Sequence, residues 1–260
     1  MTSDNRPDKV TAETEGEMLR RYAEHTGNIL RASAILLAEP VMSGVDMAPA
    51  ELHARLIRLV GEFSIAAETL AAWIIAFRDR GTEAPSLFDR LVNYGQGQPM
   101  ELWNSVVKDG WDRALLRLPD DDTLRLAMLA EQIMERPTET GDEQILDATQ
   151  QLWEHFDKDV CQVARHVTES GTALHAMYRK SKHGFTFTWN YEKYGSSLLF
   201  VDGANLNIAN VPISPGQAES LRNGVLVAAR AIDKLSMTAF SLAATGLLYP
   251  TGLSGLEGDA

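Results

Sequence analysis

Leu52, Leu56, Leu59, Val60, Phe63, Ala67, Leu70, Ile74 and Phe77 recur mostly at three- and four-residue steps, with no proline between them. An apolar stripe at that period is one face of a long α-helix, here over about residues 48–80. Gly81 and Pro85 end it. A helix this long and this apolar cannot stand in water alone, so the rest of the chain has to supply partners that cover it. The partners the sequence offers are themselves mostly helical.

Upstream, a helix is expected over 11–38, with Met18, Tyr22, Ile29, Ala32 and Leu36 near one face and Pro40, Gly44 and Pro49 breaking it. Short helices are expected at about 85–93 and 99–109, the second opened by Pro99, whose missing N–H suits a first turn. Residues 118–136 read as a helix with three aspartates at its positive end and Pro137 beyond it. Residues 140–167 read as another, with Ile145, Thr149, Leu152, Phe156, Val160, Val163 and Val167 on its core face. Gly171 kinks or divides it from a continuation running to His183.

The period then changes. Phe185, Phe187 and Trp189 alternate with threonines, which is the two-residue repeat of a strand. A second strand is expected at 197–201, with Asp202-Gly203 turning the chain toward residues 205–211. A helix from Ser214 or Pro215 to about 244 closes the fold. The expected class is therefore mostly α, a helical bundle with a small antiparallel β-hairpin inserted before the C-terminal helix. No proline- or serine-rich linker divides the chain, which suggests one domain over 10–250, a disordered start at 1–9 and a flexible tail at 251–260.

Composition limits function more than it defines it. Across 260 residues the formal charge is -12, so the surface as a whole repels phosphate backbones, and a nucleic-acid role needs a local basic patch. Cys161 is the single cysteine, which excludes an intrachain disulfide and a multi-thiolate zinc site. Residues 1–17 are polar and lack the apolar segment of a signal peptide. The two most apolar stretches, 64–77 and 225–248, carry Glu68 and then Arg230, Asp233 and Lys234. Neither suits a membrane span, and a cytoplasmic location without membrane contact is expected. The sequence has no phosphate-binding glycine loop and calls for no cofactor.

Two polar ridges carry candidate chemistry. His155, Asp159 and His166 fall near one face of the 140–167 helix. Imidazole and carboxylate at that spacing suit either a divalent ion or a solvated polar face, and no metal is assigned. His175, Arg179 and His183 follow at four-residue intervals with Lys180 and Lys182 beside them. Histidine exchanges protons near neutral pH and arginine grips phosphate in its planar fork, which are the two functions metal-free RNA cleavage requires. The bland alternative is also open: cations complement the dipole of a helix C-terminus, and Gly184 supplies the stop.

Residues 177–185, "MYRKSKHGF", resemble the "YNKxKHG" signature of uncharacterised bacterial families of HEPN-like helical-bundle proteins. The similarity of pattern extends over roughly 142–245, but its specific part is 178–184. Arg179 stands where that signature has Asn. Three residues separate it from His183, fewer than the wider superfamily places there. The resemblance implies a homodimer that acts on RNA without a metal, in toxin–antitoxin or anti-phage defence, with an antitoxin or other protein partner. It also implies Arg179 and His183 as catalytic residues, with His175, Lys180 and Lys182 holding substrate. Other members of the superfamily bind RNA or partners without catalysis. The competing expectation is therefore a non-catalytic helical interaction module in which the same cations cap a helix.

Overall fold

A computed structural model describes residues 12–81, 86–95, 97–119, 142–169, 195–202, 205–212 and 215–249. These residues are mostly helical. Six α-helices are among them: α1 (Ala12–Met42), α2 (Pro49–Asp79), α3 (Leu87–Val92), α4 (Gln98–Asp109), α5 (Asp142–Glu169) and α6 (Pro215–Ala244), with a 3-10 turn at Arg113–Leu116. The helix expected over 118–136 lies outside the described residues except for Leu118 and Pro119, as do the strand at 185–189, residues 1–9 and the tail at 251–260.

Helix α2 is the centre of the bundle. From Leu70 to Phe77 every residue is buried, and Leu56, Leu59, Val60 and Phe63 continue the buried side toward its start. Ala54–Asp79 is long and apolar enough to cross a membrane by length and composition, yet 67% of its most apolar window is buried inside the protein. Helices α1, α3, α4, α5 and α6 all pack against it. Small residues let them come close. A Cβ at Gly224 of α6 would lie 2.7 Å from the Phe63 ring, and one at Gly16 of α1 would lie 2.6 Å from the Cβ of Ala243.

Helix α1 departs from the sequence expectation in two ways. It runs past Pro40 to Met42. A proline at 40 cannot donate to the Leu36 carbonyl, and Arg55 Nη1 of α2 donates to that oxygen instead, at 3.2 Å. The helix then stops at Gly44, whose φ of 67° suits glycine, with Val45 N–H donating to the Pro40 carbonyl at 3.3 Å. The second departure concerns burial. The inward residues are Leu19, Ala23, Leu30, Ala34, Ala38 and Val41. Met18, Ile29 and Leu36, aligned by period, instead remain 41%, 50% and 68% exposed.

Two polar hubs fix the end of the bundle where the first turns of α1, the start of α3 and Tyr249 meet. The Tyr249 hydroxyl donates to Glu15 Oε2 at 2.5 Å and accepts from the Leu87 N–H at 2.8 Å, while Glu15 Oε1 accepts from the Phe88 N–H. Burial first, then the Glu15 contact, pushes the Tyr249 hydroxyl well above its usual range. The buried Arg80 guanidinium donates to four carbonyls, those of Phe77, Leu116, Arg117 and Leu248. Burial pushes its pKa down to about 10, so it stays charged at neutral pH. Arg80 thereby anchors the 3-10 turn, and that turn builds one wall of the candidate site.

Candidate functional site

Asp157, Lys158, Cys161, Gln162, Arg165 and His166 succeed one another along one side of α5, at the one- and three-residue steps that keep side chains on a common helical face. Opposite them stands the segment Trp111–Arg113, after α4 and at the start of the 3-10 turn. Together they line a cleft of about 690 Å³. Trp111 Nε1 donates to Asp157 Oδ1 at 2.7 Å, and Arg113 Nη2 donates to Asp157 Oδ2 at 2.5 Å. The Trp111 ring meets Phe156 edge-on, and the Arg113 guanidinium lies over the Trp153 ring. Asp157 thus holds the loop to the helix.

The charge left over is positive. The cleft holds three cations (Arg113, Lys158, Arg165) and two carboxylates (Asp112, Asp157), a balance of +1 with His166 neutral. Both carboxylates are engaged, Asp157 as above and Asp112 as the cap that accepts from the Ala114 N–H. Among the described residues Lys158 and Arg165 have no ion pair, and both are exposed. His166 is half-buried on the cleft floor, its Nε2 3.0 Å from Ser220 Oγ and its ring against Phe63. Two exposed cations over a tryptophan-walled cleft suit an anionic, partly flat ligand, since guanidinium and ammonium groups hold phosphate and an indole offers a stacking face.

The His155, Asp159 and His166 ridge does not converge. Asp159 is buried and accepts from Arg230 Nε and Nη2 at 2.8 and 2.5 Å, with Lys234 Nζ at 3.9 Å. The Asp159 hydrogen bonds hold Arg230 above its ordinary pKa, and burial pushes Lys234 down. His155 is exposed, its Nδ1 2.6 Å from the Gln151 carbonyl on its own helix. Among the described residues no three histidine, cysteine or acidic side chains cluster as a metal site. Asp159 therefore ties α5 to α6. His175, Arg179, Lys180, Lys182 and His183 lie outside the described residues.

Sequence reasoning missed the cleft. Its one signal was the polar row Asp157–Lys158–Cys161–Gln162–Arg165, which looks like any solvated face until Trp111 and Arg113 are placed across from it. No family model, no curated protein and no solved structure matches the chain.

Proposed function

We propose that this protein is a HEPN-like bundle, with a β-hairpin before its last helix, that binds RNA. The cleft beside α5 takes phosphates on Lys158 and Arg165 and a base against Trp111. The observation that carries this reading is the pair of exposed cations lining a cleft on a chain of net charge -12. In this proposal His175, Lys180 and Lys182 hold further phosphates of the RNA, Arg179 clamps the scissile phosphate, and His183 moves protons at the 2'-hydroxyl and the leaving oxygen. The resemblance at 178–184 supports that assignment, and with it a cytoplasmic role in toxin–antitoxin or anti-phage defence.

Fluorescence anisotropy with labelled single-stranded RNA tests binding. Lys158→Glu with Arg165→Glu should weaken binding by roughly tenfold or more and flatten its salt dependence by about two slope units, one per lost phosphate contact. Equal binding by the double variant would remove the cleft from the proposal. Cleavage is tested separately in EDTA, where His183→Ala should abolish it while changing stability by less than about 1 kcal/mol. A wild-type protein inert on varied RNAs would leave a binding protein rather than a nuclease. A second reading, a non-catalytic interaction module, draws on a different observation: the apolar residues that α1 turns outward.

A further inference from the structure

A smaller pocket, of about 280 Å³, lies where the C-terminal ends of α2 and α3 meet the start of α4. Ile75 and the half-buried Tyr94 ring give it an apolar wall, and Asp79, Asp89, Arg90 and Gln98 supply its polar groups. Arg90 is the unusual member. It is half-buried, and its Nε is fully shielded without a hydrogen-bond partner. Among the described residues it makes no ion pair either, although two carboxylates line the same pocket. The other deeply placed arginine, Arg80, meets four carbonyls. An arginine left without acceptors at the edge of a pocket is a group placed to receive an anion.

We propose that this pocket binds a free α-amino acid with an apolar side chain, its carboxylate on Arg90 and its ammonium on Asp79 and Asp89. Three observations select a zwitterion. Arg90 receives the carboxylate, and Gln98 adds a donor beside it. The Gln98 Oε1 accepts from the Gly95 N–H at 2.8 Å, which leaves Nε2 with no acceptor among the described residues. The carboxylates, in turn, are held in place with acceptor capacity to spare. Arg78 grips Asp79 through both oxygens, at 2.7 and 3.0 Å, and Ser86 occupies only Oδ2 of Asp89. Each carboxylate keeps lone pairs for an ammonium. Finally, opposite charges share the pocket without closing on one another, which leaves space for one molecule that carries both. The same carboxylates reject phosphate, because a dianion on Arg90 would stand beside two like charges.

Size and wall agree with that class. The pocket is at the small end of ligand sites, which suits a molecule of amino-acid dimensions and is too small for a nucleotide or a folded partner. Ile75 is 3% exposed and belongs to the packed core, so the ligand side chain meets a fixed apolar surface. A bound amino acid joins α2, α3 and α4, and it stabilises the fold as its concentration rises. The inference does not depend on the RNA proposal, because the cleft beside α5 and this pocket share no residue.

Titration calorimetry on the full chain tests it, with L-leucine, L-methionine and L-phenylalanine as probes. N-acetyl-L-leucine, isopentylamine and inorganic phosphate are the comparisons, each lacking one of the two charges. At least one amino acid should bind saturably and raise the melting temperature, and the comparison compounds should bind roughly tenfold or more weakly. Arg90→Met should weaken the amino acid by roughly tenfold or more and leave the melting temperature of the free protein unchanged, since the side chain has no partner to lose. Asp79→Asn should also weaken the amino acid while leaving N-acetyl-L-leucine unaffected, and it carries the test if Arg90→Met fails to fold. No saturable binding by any of the three amino acids would overturn the proposal. So would phosphate or N-acetyl-L-leucine binding as tightly as the amino acid, which means a plain anion site. Undiminished affinity in both variants would place the ligand elsewhere and overturn it too.

Discussion

Helices α1 and α2 have the same length, 31 residues, and both carry apolar stripes, yet the bundle treats them differently. Helix α2 is apolar all round from Leu70 to Phe77 and is buried all round there. Helix α1 has two separate seams. One, rich in alanine, is packed against the chain, and the other, of larger side chains, is open. The comparison teaches that apolar content does not decide which face goes inside. Closeness of approach counts as well: Gly16 of α1 lies so near α6 that an added Cβ would come within 2.6 Å of the Ala243 methyl.

The largest effect expected from breaking this contrast is at the centre. Phe63→Ala should cost about 3–5 kcal/mol in a denaturant titration, because the ring fills the space above Gly224 and no neighbour can replace it. A loss below about 0.5 kcal/mol would show α2 to be peripheral. Next comes Arg80→Met, which leaves four carbonyls, three of them buried, without this donor and should cost about 3 kcal/mol by the same titration. That variant should also loosen the Trp111–Arg113 wall, read as increased quenching of Trp111 fluorescence against a background in which the other tryptophans are replaced. On the inner seam, Gly16→Val should cost about 1–3 kcal/mol by forcing α1 away from Ala243. On the outer seam, Leu36→Ser should change stability by no more than about 0.5 kcal/mol in the same titration.

How much of this was legible in the sequence follows from the same contrast. The stripe from Leu52 to Phe77 was plain because large side chains at a helical period leave no competing interpretation, and its members beyond Leu52 are buried. The period also found the outer seam of α1, but hydropathy gives alanine and glycine little weight, so the seam that packs was passed over. Asp159 looked like part of a polar face because its partner Arg230 lies 71 residues away in the chain. The cleft was hidden for the same reason, since Asp157 meets Trp111 and Arg113 across 46 and 44 residues. Helical spacing reports neighbours on one helix, and it carries no information about pairings between helices.

The most direct test of the division of labour within α1 is a urea titration of two single variants, Ala34→Leu on the inner seam and Leu36→Ala on the outer one. Ala34 is fully buried, so the larger side chain overpacks the seam and should cost about 1–3 kcal/mol. Leu36 is 68% exposed, and its truncation should cost no more than about 0.5 kcal/mol. Equal losses from the two variants, or a larger loss from Leu36→Ala, would contradict the account.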